Sequence, residues 1–367
     1  MHKTILLGAA LVLLTFQAMG STIESGDNRM RITQVADGFD TPWALAFLPE
    51  GGVLVTEREG RLWILGPDDG RTRIDGVPRV RAQGQGGLLD VMVPRDFGQS
   101  REVFLSYSKP QENGGAGTAL AVGWLNAARN QLENLRVLFE MRPGSRGGRH
   151  FGSRIVEAPD GTIFLTIGER GDRPSAQDLT RHNGSIVRVR RDGSVPEDNP
   201  FTDHAEAQPE IWSYGHRNPQ GAALDLEGQL WAVEHGARGG DEINRIQRGA
   251  NYGWPVVSYG THYSGEKIGE GTSKEGMEQP AFYWDPSIAP SGMMIYSGKL
   301  WPDWRGQMFI GSLKFDHISR LGGEPIKELD RMSSDETERV RDVIEAPDGS
   351  IWFISEGRGA IYRLDPQ

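Results

Sequence analysis

"VEAPDGTIFLTIGERG", Val156–Gly171, and "IEAPDGSIWFISEGRG", Ile344–Gly359, follow one plan: an apolar strand, a Pro-Asp-Gly turn, a second apolar strand, then Glu and Gly. Glycine accepts the positive φ of such a turn, and alternating apolar residues on either side mark paired antiparallel strands. Looser copies are "LAFLPEGGVLVTEREGRLWIL" (Leu45–Leu65), "LLDVMVPRDFGQSREVFLSYS" (Leu88–Ser108), "AALDLEGQLWAVEHG" (Ala222–Gly236) and "MMIYSGKLWPDWRGQMFIGSL" (Met293–Leu313). Repeats spaced by roughly 45 to 70 residues suit propeller blades with inserted loops. Six such hairpins predict an all-β fold, a six-bladed β-propeller. Met30–Val35 is expected to supply the outer strand of the last blade and close the ring without a free edge. Two β-sandwiches would leave the number of repeats unexplained.

The surrounding composition agrees. With 49 Gly and 21 Pro in 367 residues the chain is rich in turns, and its 37% hydrophobic content is that of a globular protein. A net charge of −10 argues against a nucleic-acid or anionic-membrane binder, so any cluster of cations must serve something local. Residues 1–20 have the layout of a secretory signal peptide: Lys3, the apolar run Ile5–Leu14, and small residues Ala18 and Gly20 before Ser21. That run is too short to span a bilayer comfortably. Residues 21–367 are read as one propeller domain, exported to the periplasm or secreted, with no stable membrane insertion and monomeric. There are no cysteines, so a large core or bound ions must supply the stability that disulfides give many exported chains.

Chemistry concentrates where one repeat hands over to the next: "GGRHFGSR" (Gly147–Arg154), "GHRNPQG" (Gly215–Gly221), "EHGARGGDEIN" (Glu234–Asn244), "GSLKFD" (Gly311–Asp316) and "ERVRD" (Glu338–Asp342). In a propeller these handovers gather at one mouth of the central channel. His150, Arg217, Lys314, Arg339 and Arg341 would converge there on a multiply anionic or carbonyl-rich ligand, since arginine forks pair with carboxylates and lysine acts as a point charge. The plainer alternative for Arg339 and Arg341, on one face of an apparent strand, is pairing with Asp or Glu of a neighbouring blade. His150, taken as one isolated histidine after Gly147, Gly148 and Arg149, reads first as an ordinary turn residue. The Gly-rich turn with Asp241 and Glu242 offers carboxylates and carbonyls to a hard cation such as Ca²⁺, without the spacing of an EF-hand; by itself it reads by default as a solvated acidic turn.

Taken together, "GQGGLLD", "GHRNPQG", "EHGARGGDEIN" followed by "NYGWP", "GSLK" and "RVRD", in this order, resemble the soluble pyrroloquinoline quinone (PQQ)-dependent glucose/sorbosone dehydrogenases, and most nearly the bacterial periplasmic aldose sugar dehydrogenases. The resemblance runs from about residue 30 to the end of the chain. It implies a quinone cofactor in the mouth with Ca²⁺ as its partner, an aldose substrate oxidised to an aldonolactone, and a separate electron acceptor. It also implies roles. Lys314, Arg339 and Arg341 would neutralise the cofactor carboxylates, Arg217 and Asn218 would address the quinone oxygens, and Gln85 and Tyr263 would make further cofactor or substrate contacts. The carbonyls of Gly236 and Ala237 would hold Ca²⁺ against the cofactor, Glu242 and the Tyr252 carbonyl a second, structural calcium. His150 would be the base, with Arg217 polarising the quinone.

This chain departs from the strongly glucose-oxidising members at three positions. Arg149 stands where they have an acid, His235 where they have an amide, and Ala237 where a proline is usual. Two other classes are set against this reading. A calcium-dependent lactonase on a similar propeller would need clustered Glu, Asn and Asp side chains, and a non-enzymatic extracellular binding propeller would need none of these groups.

Overall fold

The computed structural model describes residues 21–66, 70–112 and 114–367; the expected signal peptide lies outside the described residues. Six antiparallel sheets stand in sequence order around a central axis. Blade I comprises Pro42–Phe47, Val53–Glu57, Arg61–Leu65 and Arg71–Ile74. Blade II comprises Leu88–Met92, Glu102–Pro110, Ala116–Leu125 and Leu132–Glu140; blade III, Ile155–Glu157, Ile163–Ile167, Ser185–Val189 and Ile211–Tyr214. Blade IV is Pro219–Leu224, Leu230–Glu234, Asp241–Arg245 and Phe282–Trp284, and blade V is Pro290–Ile295, Met308–Ser312, His317–Gly322 and Lys327–Met332.

Blade VI is made from both ends of the chain. Val340–Glu345, Ile351–Ser355 and Ala360–Pro366 are completed by Asn28–Ala36, which pairs Ile32 with Leu364 and Gln34 with Tyr362; Thr22–Ser25 adds a fifth strand outside it. The expected closure by Met30–Val35 is therefore present, within a longer strand. No helix among the described residues is long and apolar enough to cross a membrane.

Six apolar clusters hold the ring, one in each gap between neighbouring blades. Between I and II, for example, Leu54, Leu62 and Ile74 meet Leu88, Leu105 and Ala121; between VI and I, Ile354 and Ile361 meet Leu45 and Val55. The others lie between II and III, III and IV, IV and V, and V and VI. A second strand such as Ile163–Ile167 or Ile351–Ser355 is covered on both faces, and every residue in it is buried. This is why the repeated hairpins read as continuous apolar runs rather than as strict alternation.

Candidate active site

A four-stranded blade whose chain runs outward from the axis brings two places to one end of the ring: the entry to its first strand and the turn between its second and third. His150, Arg217, Asn218, Arg339 and Arg341 occupy entries to blades III, IV and VI, whereas Gly236, Ala237 and Lys314 lie on second-to-third turns of blades IV and V. The expectation that all these segments are handovers between blades is corrected for the last three, which lie inside a blade. They reach the same mouth because the chain returns to it twice per blade.

The mouth contains a cavity of about 950 Å³ lined by Gln85, His150, Arg217, Asn218, Gly236, Ala237, Tyr263 and Lys314. A second lobe of about 530 Å³ carries Arg339 and Arg341, and Gln85, His235, Ala289 and Lys314 border both. Glu242 and Tyr252 line neither lobe.

His150 is buried and strained into place. Its φ is +57°, a conformation few non-glycine residues adopt, and its carbonyl lies where a Cβ on residue 168 would stand at 2.2 Å, so only Gly168 permits the approach. Its N–H donates to Gln85 Oε1 at 2.7 Å, and its Nδ1 is 2.7 Å from Glu169 Oε1. With the Glu169 carboxylate as acceptor, Nδ1 donates and Nε2 is left as the proton-accepting nitrogen. Burial lowers the His150 pKa; Glu169 opposes that shift, and Arg217 reinforces it.

The loop Gly215–Gly221 divides its donors. His216 turns inward, with Nδ1 2.8 Å from Glu234 Oε1 and its ring stacked on Tyr252 at 4.5 Å, so it serves the blade rather than the mouth. Arg217 and Asn218 face the cavity. The Arg217 backbone N–H donates to Glu234 Oε2 at 2.7 Å, and one guanidinium nitrogen donates to the His235 carbonyl at 3.2 Å. Asn218 Oδ1 accepts from the Gly152 N–H at 3.1 Å. Four buried polar atoms without a protein partner belong to residues on this wall: Arg217 Nε, Asn218 Nδ2, His235 Nε2 and Arg58 Nε. Unpaired buried polar groups are exceptional, and four on one cavity fit a ligand rich in hydrogen-bonding and anionic groups. His235 remains neutral: burial first, then Arg217, pushes its pKa down to about 3.

Lys314 has no carboxylate at ion-pair distance among the described residues, and its Nζ lies 4.8 Å from the centre of the Phe315 ring. Arg339 and Arg341 do have one: Glu356 is 2.5 Å from Arg341 and 3.2 Å from Arg339. The pairing alternative thus holds in part, but the partner lies in their own blade. Arg339 precedes the strand with φ +50°, so the two do not share a strand face. Arg341 also donates to Gln220 Oε1 at 3.1 Å.

Arg154 is buried next to the smaller lobe, where its Nε donates to the carbonyl of the lining residue Gln220 at 3.2 Å. It contacts Asp90 at 2.9 Å and Asp342 at 3.2 Å, and its guanidinium lies over Trp43 at 4.7 Å, so one cation joins blades II and VI. Burial raises the Asp90 pKa to about 6 against the pull of Arg154.

Asp241 is not free to ligate a cation. Its oxygens accept from Gly236 N–H, Ser287 Oγ and Ala289 N–H at 2.7–3.0 Å, which fixes the turn carrying Gly236 and Ala237. Glu242 stands behind the wall, bridged to Glu234 by Asn244 Nδ2 at 3.2 and 3.1 Å. Burial and the second carboxylate raise its pKa, and Asn244 Oδ1 is unpartnered. Two carboxylates joined through one amide, with a free amide oxygen beside them, suit a hard cation. Among the described residues no three His, Asp or Glu side chains converge as a metal cluster, so backbone carbonyls would have to supply ligands.

Sequence reasoning did not single out Glu169, Glu356, Asp90 or Arg154 as site residues. A signal was present for the first two: each is the Glu that follows the second strand in the paired hairpins.

The family model for glucose/sorbosone dehydrogenase matches residues 39–363. The chain is 42% identical over 364 residues to aldose sugar dehydrogenase YliI of Escherichia coli, covering 97% of this chain and 98% of that one. The crystal structure of the soluble aldose sugar dehydrogenase from E. coli in its apo-form superposes with a TM-score of 0.89 at 42% identity, over 92% of this chain and all of that one. The PQQ-bound form of aldose sugar dehydrogenase from Streptomyces coelicolor superposes with a TM-score of 0.75 at 26% identity, over 92% and 98% of the two chains.

Proposed function

The chain belongs to the glucose/sorbosone dehydrogenase family and is a sugar-oxidising oxidoreductase, and on that premise we propose that it oxidises aldoses at the anomeric carbon to aldonolactones, using PQQ and Ca²⁺ in the mouth. The observation that carries the cofactor assignment is the cluster of unpartnered polar atoms and cations around one cavity. When bound, PQQ supplies an electrophilic carbonyl that accepts hydride, with Ca²⁺ as Lewis acid.

The chain's own residues do the rest. His150 Nε2 takes the proton of the anomeric hydroxyl, while Glu169 holds Nδ1–H and stabilises the imidazolium that forms. Gln85 fixes the backbone of that histidine. Arg217 and Asn218 present donors to the quinone oxygens, and Lys314, Arg339 and Arg341 meet carboxylates. The Gly236 and Ala237 carbonyls hold the catalytic Ca²⁺, whereas Glu242 and the Tyr252 carbonyl hold a structural one. Tyr263, 72% exposed at the rim, contacts the sugar. A further acceptor takes the electrons away. The protein acts in the periplasm or as a secreted enzyme. Arg149, exposed beside His150, replaces the acid of glucose-preferring members and favours other aldoses.

The test is reconstitution. Apo protein given PQQ and Ca²⁺ should reduce a dye in the presence of aldoses, and His150→Gln should bind the quinone normally while losing about 10²- to 10⁴-fold in turnover, the usual worth of a general base. Undiminished turnover after exhaustive removal of quinone and metal would reject the cofactor assignment. Normal turnover by His150→Gln with the quinone bound would reject the base.

A further inference from the structure

The smaller lobe holds more positive charge than Lys314, Arg339 and Arg341 provide. Its wall also includes Arg58, at the end of the second strand of blade I, and among the described residues Glu356 is the one carboxylate lining it. Four cations against one carboxylate leave three positive charges, and PQQ carries three carboxylates. Glu356 is already committed to Arg341 and Arg339, which together with it act as a single net charge. With Lys314 alone, the lobe would offer two.

Arg58 is held firmly where it stands. Its N–H donates to the Thr41 carbonyl at 3.2 Å and its carbonyl accepts from Leu88 N–H at 2.9 Å, which stitches blade I to blade II. That carbonyl would stand 2.1 Å from a Cβ on residue 87, so Gly87 lets the Gln85 loop pack directly against it. Its side chain, by contrast, makes no ion pair or hydrogen bond to the described residues, and Nε is buried. The carboxylate of exposed Asp40 acts on it from beyond ion-pair distance; a partly buried guanidinium without a direct partner is costly, and a ligand carboxylate removes that cost.

We propose that Arg58 is a fourth carboxylate-binding cation of the cofactor site, pairing with one PQQ carboxylate while Lys314 takes a second and the Arg339–Glu356–Arg341 brace takes the third. This rests on the quinone reading above and adds to it a residue and a charge count.

The experiment is titration of apo protein with PQQ at low and moderate salt, read by calorimetry and by quenching of tryptophan fluorescence, since Trp43 lies on the same wall. Arg58→Gln should weaken binding about 10- to 100-fold, the range for a hydrogen bond to a charged group, with a shallower salt dependence. Arg58→Lys should recover part of the loss, because it restores the charge but not the fork. The apo melting temperature of Arg58→Gln should equal or exceed that of the wild type, which separates lost binding from lost structure. If Arg58→Gln does not fold, Arg58→Met, which keeps the aliphatic stem, takes its place. Affinity and salt dependence equal to those of the wild type would overturn the role of Arg58 and leave the quinone reading standing. A wild type that fails to bind PQQ would overturn both.

Discussion

His150 combines a displaced backbone, a buried ring and a single carboxylate partner, and each affects the proton it would carry. The base must be neutral to accept a proton, so activity should fall as pH drops through its pKa, which burial places below the ordinary histidine value near 6.5. Glu169 pulls that pKa upward. Glu169→Gln should therefore move the acidic limb of the rate profile to lower pH and, by withdrawing support from the imidazolium, reduce turnover by on the order of 10- to 100-fold, less than loss of the base itself. An unmoved acidic limb would show that Glu169 only positions the ring. At this scale the sequence was legible where a side chain reaches the mouth from an unusual motif, as with Arg217, Asn218 and Lys314. It was mute about which cation is already neutralised, because Glu356 and Arg341 are 15 residues apart and meet only across the paired strands of blade VI. Asp241 shows the converse: its Gly-rich turn looked like a ligand loop, but three protein donors occupy its carboxylate.

The first two strands of each blade were readable because neighbouring blades cover both faces of the second, which forces apolar runs on either side of a glycine turn. Outer strands carry no such mark. Lys327–Met332 and Arg71–Ile74 carry mainly polar and charged residues, and in each the final residue, Met332 or Ile74, is the one that is buried. The strand Asn28–Ala36 could be placed because the ring needed it, and its buried face follows: Met30 and Ile32, with Ile23 of the preceding strand, enter the cluster between blades V and VI. Its turn is clipped as well, with Ser25 Oγ donating to Asp330 at 2.7 Å and accepting from Arg320 Nε at 2.9 Å. Removing residues 21–36 should cost about 1.5–3 kcal/mol for each of those three side chains and expose Ala360–Pro366 as a free edge. The expected result is a lower melting temperature together with concentration-dependent light scattering. A truncated chain that melts like the full one and stays monodisperse would show that the fourth strand is dispensable.

On the scale of the whole ring, Arg154 is the point where three blades share one charge. Arg154→Leu would leave Asp90 and Asp342 buried without their cation, and breaking such a group typically costs about 3–5 kcal/mol, to be read as a shift in a denaturant midpoint. A change within about 0.5 kcal/mol, as for an ordinary surface substitution, would mean the triad contributes little to stability. The blade made from both ends has a different consequence, one of order in time. During synthesis Asn28–Ala36 is among the first strands to emerge and its partner Ala360–Pro366 among the last, so five blades can assemble but the circle cannot shut until the chain is complete. Until then the two gaps that border blade VI stay open and the apolar cluster of each stays unfinished. A nascent or partly threaded chain is thereby kept from locking early, and the mouth acquires its full set of cations only when Arg339 and Arg341, carried by that last blade, swing into the ring.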